Sequence, residues 1–216
     1  MNHLKSSTSS IIMLLIVLII TSCTQESPTH YFKNASAKFS LKDFDGALVD
    51  INMALNLKND YTEAYYVRGI CNGELGNVDK AASDFDKVLS LDPNFTDAYV
   101  NRAFYVKGPQ KDYEGALADY NKFIEINTEG NNAFAYNNRG FVKYNMGNYT
   151  DALDDINTSL KIDAENSYAF KNRALVYIAM DSLETACTNL NKAVELGYTA
   201  KFDDTVQRLI FEYCGK

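Results

Sequence analysis

Four arginines recur at long, nearly regular intervals, Arg68, Arg102, Arg139 and Arg173, and four aspartates keep step with them, Asp50, Asp84, Asp119 and Asp155. Four guanidinium groups in one row could hold an anionic ligand. Carboxylates at the same period offer another outcome, ion pairs that neutralise the row. The ends of the two columns bear on the pairing: Asn34 stands in the arginine column of the first block and Asn189 in the aspartate column of the last. Pairing inside a block would orphan Asp50 and Arg173. Pairing each aspartate with the arginine of the next block, 50–68, 84–102, 119–139 and 155–173, orphans nothing. The sequence therefore predicts an inter-block Arg–Asp ladder that fixes stacking register.

Groups suited to catalysis are scarce. His3 and His30 are the only histidines, and no Cys–His pairing, zinc-ligand spacing, phosphate loop or nucleophile elbow occurs. No enzyme, metal site or cofactor is expected. A net charge of −7 leaves no basic footprint for nucleic acid and no basic patch for anionic lipid.

The elements behind these columns repeat. Ala47, Ala81, Ala116, Ala152 and Ala186 are spaced 34, 35, 36 and 34 residues apart. A fixed period of this size means a solenoid, in which each unit buries its apolar face by stacking on its neighbours. Each block reads as two amphipathic helices joined by a tight turn, such as Gly76-Asn77, and Asp92-Pro93 stops one second helix. Small residues Ala35, Gly69, Ala103, Gly140 and Ala174 are expected to face the recurring alanine, so that the two helices approach closely.

The blocks resemble the tetratricopeptide repeat. The aromatic column is Tyr31, Tyr65, Tyr99, Tyr136 and Phe170, and the second-helix apolar column is Ile51, Phe85, Tyr120, Ile156 and Leu190. The match covers about residues 28–198. The third block carries an extra residue around Gly108-Pro109-Gln110, and two more separate it from the fourth at Glu129-Gly130-Asn131. The resemblance implies an all-α fold: an α-solenoid of five helix-turn-helix repeats over 31–198, closed by a C-terminal capping helix over 199–216. Asp203-Asp204 can start that cap, and Val206, Leu209, Ile210 and Tyr213 would cover the last repeat.

In this family first helices line a groove that holds peptides. On this chain the groove residues would be Tyr66, Ile70, Asn101, Phe104, Asn138, Phe141, Tyr144, Asn172 and Leu175. Three stacked asparagines, Asn101, Asn138 and Asn172, can donate to and accept from an extended backbone. The basic carboxylate clamp of chaperone-binding members is not carried over, because Glu63, Asp97, Phe134 and Tyr168 stand in the corresponding column.

The N-terminus reads as a targeting segment. Ile11 to Ile20 is an unbroken apolar run of ten, too short to span a bilayer, and Ile20-Thr21-Ser22-Cys23 resembles a bacterial lipobox. The resemblance implies a signal peptide over 1–22, diacylation of Cys23 and a tether over 23–30; Thr24 in place of Asp points to the outer membrane. Membrane attachment would then come from lipid alone. An exported compartment permits a Cys187–Cys214 disulfide, with two buried thiols as the alternative, and Cys71 reads as an unpaired core residue. The expected function is a lipid-anchored envelope scaffold that binds a protein or peptide. The alternative is an envelope binding protein for a small ligand or polysaccharide, with Tyr66, Tyr144 and Phe141 stacking on sugar rings.

Overall fold

The computed structural model describes residues 27–128 and 130–215. The expected signal peptide and Cys23 lie outside the described residues. The chain divides into two compact units, Met1–Tyr61 and Thr62–Lys216.

The first unit holds one helical hairpin, α1 (Pro28–Ser40) and α2 (Phe44–Leu57). Helix α1 starts inside the segment read as a tether. Ser27 caps it, its hydroxyl accepting from the His30 N–H at 3.1 Å, and Pro28 takes the first turn, where its missing N–H costs nothing. Asp43 caps α2 through the Gly46 N–H. Ala35, Ala47, Ile51, Ala54 and Leu55 form the buried seam. Lys38 Nζ lies 2.8 Å from Asp50 Oδ2 as an ion pair.

The second unit holds four hairpins: α3 (Thr62–Glu74) with α4 (Val78–Leu91), α5 (Thr96–Arg102) with α6 (Tyr113–Ile126), α7 (Ala133–Asn145) with α8 (Tyr149–Ile162), and α9 (Ser167–Ala179) with α10 (Leu183–Glu195). Two short helices follow, α11 (Tyr198–Lys201) and α12 (Thr205–Tyr213). Phe85, Tyr120, Ile156 and Leu190, the second-helix column, are all buried, as are the recurring alanines. The small column works by contact. A methyl group added to Gly140 would stand 2.7 Å from the Ile156 side chain and 2.9 Å from the Ala152 carbonyl oxygen. Turns between paired helices pass through left-handed backbone, at Gly76 and Gly147 where glycine suits it, and at Lys42, Lys111 and Asp181 where it does not.

The charge columns pair differently from the expected ladder. Each arginine binds inside its own repeat: Arg68 to Asp84 at 2.7 Å, Arg102 to Asp119 at 2.6 Å and Arg139 to Asp155 at 2.6 Å. The ends that argued against this are satisfied by other residues. Asp50 meets Lys38, one turn beyond the arginine column, and Arg173 donates to the Asn189 amide oxygen at 2.7 Å. Sequence reasoning assumed that only Arg and Asp could partner each other. Register between repeats runs through a column two residues past the aspartates. Arg102 also reaches Asp86 at 2.6 Å, Arg139 reaches Asn121 and Arg173 reaches Asn157, both at 2.8 Å. Each of these guanidinium groups therefore ties its own second helix to the preceding one. It also lies over the aromatic ring three residues before it, at 5.8 Å from Tyr99, 5.2 Å from Tyr136 and 5.1 Å from Phe170.

The extra residue of the third repeat sits in the helix and not in the turn. After α5 the chain makes one π-helical turn over Ala103–Lys107, closed by the Gly108 N–H on the Ala103 carbonyl at 2.9 Å. At the C-terminus, Asp203 accepts from the Thr205 N–H, and Val206, Leu209, Ile210 and Cys214 pack on Leu190 and Ala193. Cys214 in turn is disulfide-bonded to Cys187 on α10, while Cys71 is a buried free thiol.

Candidate functional site

The expected groove residues lie on the first helices of the second unit and the π turn that follows α5, and their states differ. Asn101 on α5 has spent its amide donors: Nδ2 donates to the Tyr66 hydroxyl at 2.8 Å and to the Asp97 carbonyl at 3.0 Å. Its donors brace neighbouring first helices instead of facing a ligand. Tyr66 packs against Phe85 and Phe95, with ring centroids 6.4 and 4.8 Å away. Burial, and then the Asp97 charge, push its hydroxyl up to about 12. Ile70 is half-buried against the same cluster, and Leu175 is half-buried on α9.

Asn138 and Asn172 are in another state. Asn172 is 0% exposed and donates through Nδ2 to Asn137 Oδ1 at 3.0 Å. Asn137 donates to Asn138 Oδ1 across a long 3.4 Å contact. Two atoms are left over: Asn138 Nδ2, a donor, and Asn172 Oδ1, an acceptor, have no hydrogen-bond partner among the described residues. Asn138 is 5% exposed. Buried polar groups in folded proteins are nearly always satisfied, so an unspent donor and acceptor on adjacent first helices require a reason.

Register supplies one. Asn101 bonds to Tyr66 and Asn172 to Asn137, each 35 residues earlier and one position before the preceding repeat's asparagine-column residue. The corresponding residue for Asn138 is Val100, which has no side-chain acceptor. That column, Tyr66, Val100, Asn137 and Lys171, escaped sequence reasoning, although its spacing was there to be read.

Asn138 lines a cleft of about 280 Å³ together with Ala103, Phe104, Gly108, Pro109, Lys111, Tyr113, Tyr120, Phe141, Val142, Asn145 and Tyr168. The π turn forms one edge, since both ends of its closing hydrogen bond belong to that wall. Phe104 is 40% exposed, and its ring lies 5.5 Å from that of Phe134, itself 47% exposed. Phe141 stacks on Tyr144 at 5.9 Å and 23°, and Tyr144 also meets Tyr149, so neither ring is a bare platform for a sugar. Behind the cleft, Lys171 is 6% exposed, with Nζ 4.4 Å from the Tyr168 ring centre and 5.2 Å from that of Phe141. Burial drops its ammonium to about 8, against the opposing pull of Asp203. Among the described residues no group of three His, Cys, Asp or Glu side chains is placed to hold a metal.

Paired antiparallel helices repeated at this period, with buried asparagines along their first helices, define a helical-hairpin repeat protein. Tetratricopeptide-repeat models match residues 62–95 and 135–166. The chain therefore carries tetratricopeptide repeats in these two segments. It is 25% identical over 195 residues to TPR repeat-containing protein MJ1428 of Methanocaldococcus jannaschii, covering 83% of this chain and 34% of that protein, so it spans about a third of that relative's length. Among solved structures it resembles PilW, a type IV pilus biogenesis factor (TM-score 0.73, 21% identity, 78% of this chain and 77% of that one). It also resembles YrrB, described as a TPR protein with an unusual peptide-binding site (TM-score 0.64, 22% identity, 81% and 88%). At such identities the likeness shows the fold alone. The fold suggests a scaffold for protein–protein interaction with a protein or peptide partner, and proteins of this family are generally not enzymes.

Proposed function

We propose that this protein is a cell-envelope scaffold, anchored by acyl chains on Cys23, that binds an extended segment of a partner protein along the first helices of its second unit. The observation that carries the binding reading is the unspent donor Asn138 Nδ2, on a side chain that lines the cleft. A side-chain amide donor matches what an extended backbone presents, a carbonyl oxygen. The peptide-binding site named for YrrB is consistent with such use of the fold. The anchoring reading is supported by the apolar run Ile11 to Ile20, by the lipobox-like Ile20-Thr21-Ser22-Cys23 and by the Cys187–Cys214 disulfide, which suits an oxidising compartment.

Selection of displayed random dodecapeptides against the full chain tests the binding reading. Selected peptides should bind about tenfold more weakly to Asn138→Leu, which keeps the side-chain size and removes the donor. Equal binding to the variant would place the site elsewhere. Mass spectrometry of protein purified from bacterial envelopes tests the anchor: the chain should begin at acylated Cys23, and an unmodified cysteine would remove that part of the reading.

A further inference from the structure

The cleft beside the π turn has features that a backbone groove does not need. A π turn is wider than an α turn, and single π turns within helices gather at functional sites. Here it presents Phe104 on one wall, while Phe141 and Tyr168 on the following first helices and Tyr113 and Tyr120 on α6 supply four more rings. Among the described residues no Asp or Glu lines the cleft, although the chain has 28 acidic residues, and Lys111 is the one charged residue in its walls. About 280 Å³ falls just under the roughly 300–1,000 Å³ of pockets for drug-sized molecules and suits a single large side chain. One polar group in it, Asn138 Nδ2, is buried and has no partner among the described residues.

We propose that this cleft is a specificity pocket for one aromatic side chain of the bound peptide, whose own backbone carbonyl accepts from Asn138 Nδ2. Rings lining the walls favour an aromatic guest, since ring–ring contacts add edge-to-face and offset-stacked attraction to the burial of area. Walls whose described residues include no carboxylate disfavour a basic guest, which would lose its hydration without gaining a counter-ion. The Lys171 ammonium held on the Tyr168 and Phe141 rings strengthens that exclusion. The inference rests on the peptide-groove reading and adds to it which residue of the peptide is read, and where.

The chain contains no tryptophan, so a tryptophan probe can be watched selectively against it. The probe is acetyl-Ser-Gly-Trp-Gly-Ser-amide, titrated with the full chain. Its emission should shift to the blue and saturate. The phenylalanine counterpart should compete, and the alanine counterpart should not. Asn138→Leu should weaken probe binding about tenfold. Phe104→Ser, at the exposed rim, should weaken it several-fold with unchanged helical content and unfolding midpoint, which keeps the test valid if the buried variant misfolds. A probe that fails to saturate, an alanine peptide that competes equally, or a Phe104→Ser protein that binds like the parent overturns the pocket. The two readings fail separately. Selected dodecapeptides that need Asn138 but share no aromatic position retain the groove and remove the pocket. A bound tryptophan probe with no selectable peptide retains the pocket and removes the groove.

Discussion

Asn101 and Asn138 hold equivalent positions one repeat apart, on α5 and α7, yet one is a spent brace and the other keeps a free donor. Nothing in either asparagine explains this. What differs is the residue reaching them from the preceding first helix, Tyr66 in one case and Val100 in the other. A column of identical residues in a repeat protein is therefore not a row of identical sites. The neighbouring column decides which members are structural and which are available.

The largest expected effect breaks the register on which this comparison depends. Arg102 holds α5 to α6 through Asp119 and to α4 through Asp86. Asp119→Ala would leave a largely covered guanidinium without its bidentate partner. A loss of about 3 kcal/mol is expected in urea unfolding, at the low end for broken buried pairs because Arg102 stays partly solvated. Next, Val100→Asn should turn Asn138 into a second Asn101 by offering the missing acceptor. Peptide affinity should then fall about tenfold, equivalent to about 1.4 kcal/mol, in a fluorescence titration. Unchanged affinity would mean that Val100 does not control the donor.

Lys171 occupies the same column as Tyr66 and Val100 but has no asparagine of a following repeat to serve. Its folded value, about 8, lies below its ordinary 10.5. The unfolded chain thus binds more protons between those values, and stability rises with pH there. Below pH 8 the full cost of burying the charge is present. Between pH 8 and 9 the gain should be about 1 kcal/mol in denaturant titrations, and Lys171→Met should abolish it. The smallest effect converts Asn101 in the opposite direction. Tyr66→Phe removes its acceptor at a cost of about 0.5–1 kcal/mol, read as a lower thermal midpoint, while the Asp97 carbonyl remains as a partner.

Much of the fold was legible in the sequence. The alanine period, the second-helix apolar column and the small residue Gly140 against Ala152 occupy the places expected of them, since burial of a helix face is a property of spacing, while Gly69 meets Phe85 and not Ala81. The charge ladder was misread between repeats. The column ends looked unpaired only while lysine and asparagine were left out as partners, and Lys38 and Asn189 fill those roles. The extra residue near Gly108 was legible as an insertion but not as a π turn. A helix can absorb one residue without any change in composition, and only the Ala103–Gly108 hydrogen bond distinguishes the two outcomes.

By itself the sequence determined a helical repeat and the faces that must be buried, because periodicity and side-chain size act over one or two turns of helix. Tertiary structure decided which arginine meets which acid, which asparagine is spent and where a cleft opens. These outcomes turn on hydrogen-bond distances of about 3 Å between residues 16 to 35 positions apart, and such distances are set by how helices stack, not by what any one of them contains.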